Sequence, residues 1–325
     1  MNESSEKVLL LHHWDTDGVS SGAMIIQHVY KEIVTFTPSI GNYLLDEDDR
    51  EAIRDIGPDR VVVVDMALPK DSVEFLKNFG MVQIFDHHLQ KKHEVELHQN
   101  PIINGATQKE YPSTTWVVNE FLQREPDLLT ILGAFGDREE KLKENELAMR
   151  TVDRVISDLF SDFDDLLECA ELIDTLYKIG DREEIIKMPW FLSKVKEPEK
   201  ILDRKDLKLN KKKLMEAIEK EIKGSLEKIG DSILYREMSS PYNIISTVAR
   251  RLAWSRNDKT VVVSNSEYKK DACQIYVRGP LKDSESIINK MNKRDYSAGG
   301  KSDVIGMVIP EEDKEKVLEE LVELL

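Results

Sequence analysis

The stretch HHWDTDG, residues 12–18, places His13, Asp15 and Asp17 at alternate positions directly after the apolar run VLLL. Imidazole nitrogens and carboxylate oxygens at such spacing can shuttle protons or hold a cation. The pattern recurs: Asp65 follows VVVV, Asp86-His87-His88 follows QIF, and Asp137 closes GAFGD. Each taken alone has an ordinary structural account. DTDG suits a turn, an aspartate after a valine run caps a helix, and paired histidines commonly sit at a surface or in a core. Together, in this order and each time where an apolar element stops, they read as one site.

The donor set is His13, Asp15, Asp17, Asp65, His87, His88 and Asp137, all nitrogen or oxygen with no thiolate. Five or more such groups in one cleft repel one another unless cations neutralise them. Carboxylates with a few imidazoles suit manganese, or magnesium, better than zinc or copper. This many ligands predicts two divalent ions about 3.5–4 Å apart sharing a bridging carboxylate, an arrangement suited to phosphodiester hydrolysis.

Such groups converge only if the elements before them are parallel strands of one sheet, whose carboxyl ends share an edge. The pattern predicts this for residues 1–138, a doubly wound, mostly parallel α/β domain. Strands are expected at Val8–Leu11, Val34–Ser39, Arg60–Val64 and Val82–Phe85. Helices are expected at Ser20–Lys31, Glu47–Ile56, Asp71–Phe79, Thr114–Leu122 and Leu128–Phe135. Strand signals vanish over 139–233, where apolar residues recur at helical spacing among charges, so a helical connector or insert is expected. Its charge runs, KLNKKK and SDFDD, read as solvated faces. A smaller α/β domain follows over 234–325. It has helices at Asn243–Trp254 and Ser284–Asn292, strands at Thr260–Ser264, Ala272–Val277 and Val304–Ile309, and a glycine-rich turn before the last strand.

Composition narrows the function classes. A formal charge of −16 argues against a protein that coats nucleic acid, since phosphate binding rests on Lys and Arg. The charge is uneven, however: Tyr235–Asp303 carries 13 Lys/Arg against 8 Asp/Glu, so a local phosphate-contacting surface is open to it. Cys169 and Cys273 lie far apart, which indicates neither a disulfide framework nor a thiolate zinc site. No apolar run approaches a membrane span and the N-terminus lacks a secretory apolar region, so a soluble cytoplasmic protein is expected. The Lys- and Glu-rich 33% charged content also suits adaptation to heat.

With these residues in view, the chain resembles the DHH phosphoesterase superfamily. The resemblance rests on HxDxDG (His13, Asp15, Asp17, Gly18), the strand-terminal Asp65, Asp86-His87-His88 and GxxGD ending in Asp137, and spans residues 8–137. The C-terminal part resembles the DHH-associated domain in YNIISTVARRLA (242–253), in CQIYVRG with Arg278, and in AGGKSDVIG (298–306). RecJ-like and oligoribonuclease-like members read GGHxxAAG there. Here Lys301 replaces the histidine, a point charge that can still meet a phosphate.

The resemblance, of archaeal type, implies a two-lobed enzyme with metals in the first lobe and a second lobe that clamps a nucleic acid end. It makes His13 and Asp15 ligands of one metal, Asp17, His87 and Asp137 ligands of the other, and Asp65 the bridge. His88 becomes the phosphate-facing histidine, and Asp86 orients an imidazole. Strand alternation turns His12 away from His13, as a structural residue. Arg278, Gly299, Gly300 and Lys301 are the expected contacts to a terminal phosphate, although AGGKSDVIG also reads as a plain hairpin turn. Arg250, Arg251 and Arg256 would line the nucleic acid path or simply cover a helix.

The expected function is therefore a metal-dependent exonuclease on single-stranded DNA or RNA, working 3′→5′ as compact relatives without an extra OB-fold do, in DNA repair, replication or RNA turnover. The alternative is a hydrolase of short oligoribonucleotides, nucleotide 3′-phosphates or cyclic dinucleotides, which suits the acidic charge. An inorganic pyrophosphatase would carry a different C-terminal domain. A scaffold role alone would have cost the chain some of its ligands. The long helical region would serve a homo-oligomer, a helicase or another replication or repair partner, or act as a rigid spacer.

Overall fold

Short valine- and leucine-rich runs separated by amphipathic segments build the first of two units, Met1–Asn210 and Lys211–Leu325. The structure, a computed structural model, describes residues 6–28, 32–41, 44–254, 256, 258–294, 296–301 and 303–325. The first unit begins with β1 (Lys7–His12), α1 (Thr16–Ile26), β2 (Glu32–Phe36), α2 (Glu47–Ile56), β3 (Arg60–Val64), α3 (Lys70–Leu76), β4 (Met81–Phe85) and β5 (Leu97–Gln99). These strands form one wholly parallel sheet in the order β2-β1-β3-β4-β5. The chain reverses its winding between β1 and β3, the switch point at which open α/β sheets gather ligands.

Residues within each strand alternate between two apolar layers. Leu9, Leu11, Val61 and Val63 pack with Ile53 of α2 and Val73 and Leu76 of α3. Val8, Leu10, Val62 and Val64 face the other layer, with α1, α4 (Thr114–Phe121) and α5 (Leu128–Arg138). That layer continues through α6 (Glu146–Leu159), α7 (Phe163–Ile179), α8 (Arg182–Leu192) and α9 (Glu199–Leu202), whose Val152, Leu166, Ile173, Met188 and Ile201 belong to the same core. Residues 139–210 thus thicken the first unit, and α10 (Lys205–Ile222) carries the chain into the second.

The second unit contains β6 (Glu227–Lys228), β7 (Ile233–Met238), α11 (Ile245–Trp254), β8 (Thr260–Lys269), β9 (Ala272–Arg278), α12 (Ser284–Asn292), β10 (Ser297–Lys301), β11 (Val304–Pro310) and α13 (Lys314–Leu324). Its sheet runs β10-β11-β9-β8-β7-β6, with only β7 and β8 parallel. Val262, Ile275, Val277 and Ile305 bury against Ile287 and Met291 of α12 and Val317 and Leu321 of α13. Among the described residues no helix is long and apolar enough to cross a membrane.

Several boundaries differ from expectation. The helix expected over Ser20–Lys31 starts at Thr16, because Asp15 caps it and Asp17 sits in its first turn, where a carboxylate complements the helix dipole; Val29–Lys31 lie outside the described residues. The glycine-rich segment expected as a turn is the edge strand β10, with Gly299 opposite Gly306 and Gly300 opposite Ile305. A Cβ on Gly300 would come 2.0 Å from the Val304 carbonyl oxygen, so strand pairing itself demands that glycine. The strands β5, β6 and β7 and the helix α13 were not anticipated, and β6 lies within 139–233, where only helix was expected.

Candidate metal centre

Strand register assembles the site. His12 of β1 pairs with Val64 of β3, and Val64 pairs with Phe85 of β4, so the next residues, His13, Asp65 and Asp86, leave the sheet side by side. The ladder extends to each of them: the backbone amides of His13, Asp65 and Asp86 donate to the carbonyls of Val64, Phe85 and Gln99. Asp65 turns there with φ +62°, a left-handed conformation that costs a non-glycine residue of order 1 kcal/mol or more and recurs at functional sites.

Asp15 and Asp17 are fixed by the start of α1. Asp15 accepts the Gly18 amide at 3.0 Å. Any side chain at Gly18 would strike the His13 carbonyl oxygen at 2.5 Å, so glycine lets the helix begin this close to His13. Asp17 is fully buried and accepts two backbone amides from the first turn of α4, Thr114 at 2.6 Å and Thr115 at 3.0 Å. A carboxylate at that helix N-terminus is favoured by the dipole. The Thr114 hydroxyl donates to Asp65 Oδ1 at 2.8 Å, and Thr115 Oγ1 lies 2.7 Å from the Ser113 hydroxyl. Thr114 and Thr115 thus hold carboxylates of the candidate site, and Ser113 holds Thr115, contacts that the sequence reading missed; the available signal was PST directly before an apolar helix.

The fourth motif works through space as much as through charge. A Cβ on Gly133 would lie 2.3 Å from Asp17 Oδ1, and one on Gly136 2.8 Å from Thr16 Cβ. The two glycines of GAFGD let α5 pack against α1 tightly enough to bring Asp137 in, with Oδ2 3.0 Å from His87 Nε2. His87 Nδ1 lies 3.3 Å from the Tyr111 carbonyl. Donation there leaves Nε2 as the free ligand atom, 3.8 Å from both Asp17 Oδ2 and Asp65 Oδ1. His13 Nδ1 is 2.8 Å from Asp15 Oδ2 and 3.6 Å from Asp65 Oδ2.

Three overlapping sets therefore bring their ligand atoms within 4.8 Å of one another: His13, Asp15 and Asp65; Asp17, His87 and Asp137; and Asp65, His87 and His88. His88 points outward, its side chain 47% exposed, and donates from Nδ1 to Asp86 Oδ1 at 2.8 Å. Buried Asp86 also accepts from Gln90, and buried Asn100 donates to the His88 carbonyl at 2.9 Å. His12 is wholly buried, with Nδ1 2.7 Å from the His13 carbonyl, and stands apart from the three sets.

The electrostatics are those of crowded, buried carboxylates and imidazoles. Burial pushes the Asp65 carboxyl well above its ordinary range, and Asp17, Asp15, Asp137 and Asp86 push it further. Burial and then Asp137 raise Asp17 to about 6, against the pull of His87. Burial resists protonation of His87, but the Asp137 carboxylate and its neighbours raise it to about 9. Burial opposes ionisation of Asp15 and Asp86, yet His13 holds the first and His88 the second below the usual carboxylate range. Crowded buried carboxylates with imidazoles and no thiolate are a donor set that fits hard divalent cations.

The remaining expected site residues lie in the second unit. Arg278 ends β9 and pairs with Asp303 at 2.9 Å. Gly299 faces open space, and the side chain of Lys301 lies outside the described residues. Arg250 stacks over Trp254 at 5.5 Å and Arg251 pairs with Glu219 at 3.0 Å. Arg256 donates to the Leu252 carbonyl at 3.0 Å.

The fold has solved counterparts. An exonuclease RecJ bound to manganese superposes with a TM-score of 0.65 at 14% identity, over 98% of this chain and 89% of that one. RecJ from Thermus thermophilus in complex with Mn2+ gives 0.67 at 15%, over 98% of this chain and 52% of the other, so this chain spans about half of that protein. The pGpG-specific phosphodiesterase PggH from Vibrio cholerae gives 0.52 at 15%, over 98% of both chains. These likenesses are of fold. No curated protein matches the chain by sequence. Residues 7–151 match the N-terminal domain of the DHH family. The four ordered motifs that meet at one sheet edge all lie within that segment, so residues 7–151 carry a DHH-family N-terminal domain.

Proposed function

We propose that the protein is a divalent-metal-dependent phosphodiesterase that removes nucleotides from the end of single-stranded DNA or RNA in the 3′→5′ direction. The observation that carries this reading is the buried Asp65 carboxylate between two ligand sets, Oδ2 toward His13 and Oδ1 toward His87. His13 and Asp15 would hold one ion, Asp17, His87 and Asp137 the other, and Asp65 both, with manganese favoured over magnesium. Divalent cations held there supply Lewis acidity that lowers the pKa of water and offsets charge developing on phosphoryl oxygens.

The protein's own groups do the rest. Thr114 and Thr115 fix Asp17 and Asp65 before substrate arrives, so little reorganisation is needed. Asp86 holds the His88 imidazole facing outward; burial works against its protonation, but the Asp86 bond raises its pKa, which suits a cationic contact to the scissile phosphate. Water adds to phosphorus as the bond from phosphorus to the sugar oxygen breaks, and that oxygen leaves as a hydroxyl with one of the water's protons. In the second unit Arg278, Gly299, Gly300 and Lys301 would receive the terminal nucleotide, within a stretch that is net basic by 13 Lys/Arg to 8 Asp/Glu.

Two observations favour a second reading, hydrolysis of oligonucleotides of a few residues or of cyclic dinucleotides. Arg278 is already paired with Asp303, and the whole chain is acidic at −16, which suits a substrate with few phosphates. Manganese-dependent digestion of end-labelled single-stranded DNA and RNA of graded length separates the two. Turnover that rises with length supports the exonuclease, turnover confined to the shortest substrates the alternative, and undiminished cleavage by Asp65→Ala excludes both.

A further inference from the structure

We infer that Asp174, on α7 and 158 residues from the loop it holds, is a positioning residue for the metal centre. Thr16 stands between Asp15 and Asp17. Its backbone amide donates to Asp174 Oδ1 at 3.0 Å, and its hydroxyl lies 2.7 Å from the same oxygen and 3.0 Å from the Ala170 carbonyl of α7. On its other side Thr16 Cβ presses on Gly136 of α5, where a further carbon would come within 2.8 Å. Thr16 is therefore clamped between α5 and α7 while its two neighbours contribute carboxylates to the ligand sets.

The contact has a backbone logic. The first amides of a helix have no partner within it. In α1 the Gly18 amide goes to Asp15 and the Thr16 amide to Asp174, so a carboxylate from another helix completes the cap. Holding Thr16 at both amide and hydroxyl fixes the backbone on which Asp15 and Asp17 ride, and a shift of that turn would move ligands of both sets at once. Asp174 itself is nine-tenths buried, and its other oxygen lies 3.8 Å from Lys178 Nζ. It also lies outside the segment that matches the family, residues 7–151, so the helices after the match are part of what sets the centre's geometry.

This inference rests on the proposed metal centre and is tested by metal affinity rather than turnover alone. Mn2+ affinity is read from the electron paramagnetic resonance of unbound Mn2+, alongside melting of the metal-free protein. Asp174→Ala is expected to weaken Mn2+ binding about tenfold or more, the usual effect of losing an outer-sphere support. Asp174→Asn, which keeps an acceptor oxygen, is expected to stay within about threefold of wild type. Asp49→Ala removes another buried carboxylate, one that accepts from Ser39 and Arg182 and belongs to none of the ligand sets. It should lower the metal-free melting temperature with Mn2+ affinity unchanged.

At saturating Mn2+, kcat of Asp174→Ala should recover most of its loss while KM holds. Wild-type affinity in a folded Asp174→Ala, or equal weakening in Asp49→Ala, overturns the inference. Should Asp174→Ala not fold, Thr16→Val, which keeps the amide contact and loses both hydroxyl contacts to α7, decides: weakened affinity supports the inference and unchanged affinity overturns it. A wild-type protein that binds no Mn2+ refutes the proposed function itself, and this inference with it.

Discussion

Asp65 turns its two carboxylate oxygens toward two different histidines, Oδ2 3.6 Å from His13 Nδ1 and Oδ1 3.8 Å from His87 Nε2. Burial and four neighbouring aspartates oppose its charge, so in the metal-free protein it costs stability that a cation would return. Asp65→Asn keeps the size, tolerates φ +62° and can still accept from Thr114. It should raise the metal-free melting temperature while cutting Mn2+-dependent turnover by at least about 100-fold, beyond the loss of an outer-sphere partner. Thermal melts and initial rates on one preparation check both halves. A variant that melts lower and still turns over would contradict the account.

The pH dependence follows from the same crowding. Asp17 and Asp174 are raised by burial to about 6, so between about pH 4 and 6 the folded protein holds protons that the unfolded chain has released. Their contribution is fully present at low pH and is lost as pH rises through about 6. His87, raised to about 9, contributes below about 6.5 and loses its contribution as pH rises through 9. Asp15, held low by His13, acts oppositely: its contribution is present above about 4 and is lost as pH falls. Mn2+ takes the place of the protons, so the rise in melting temperature on adding it should be small near pH 5 and grow toward pH 7. A metal-induced shift that is largest in acid would refute this assignment of the site.

Gly133 gives a steric test. An alanine methyl there would meet Asp17 Oδ1 at 2.3 Å and Thr115 Oγ1 at 2.4 Å, and each is tied in place, Asp17 Oδ1 by the Thr115 amide and Thr115 Oγ1 by the Thr130 carbonyl to which it donates. Gly133→Ala should destabilise by about 1–3 kcal/mol, as overpacking does, and weaken Mn2+ binding. Gly299→Ala, with no atom within 4 Å of the new methyl, should leave both unchanged. Denaturant melts and metal titration of the pair decide it.

What the sequence disclosed about this site, and what it withheld, follows from how each group is held. His13, Asp65 and the Asp86-His87-His88 run were legible because parallel strands ending in polar groups must deliver them to one edge, and the strand register does so. The start of α1 was misplaced because DTDG has turn composition, whereas Asp15 caps a helix that begins at once. Thr114 and Thr115 escaped notice because they act through backbone amides, which every residue carries. Asp174 sits in the run LIDTL, where nothing local distinguishes a carboxylate aimed at a loop 158 residues away from a polar residue at a helix boundary. The segment AGGK was read as a turn on its glycines, although edge pairing uses Gly300 for close backbone approach.

Arg278 and Asp303 allow the second unit's role to be measured. Their 2.9 Å pair joins a side chain 22% exposed to one 55% exposed, the kind of contact worth about 0–1 kcal/mol. A phosphate could displace Asp303 at that cost, and removing Asp303 in advance would spare it. Asp303→Ala is therefore expected to lower KM several-fold on single strands with stability little changed. Arg278→Ala should raise KM and reduce the slope of log affinity against log salt by about 0.7, the share of one lost phosphate contact to a single strand. Binding measured across a salt series with the wild type and both variants checks this. If Arg278→Ala leaves the slope unaltered, Arg278 meets no phosphate and serves only to hold the end of β9 to Asp303.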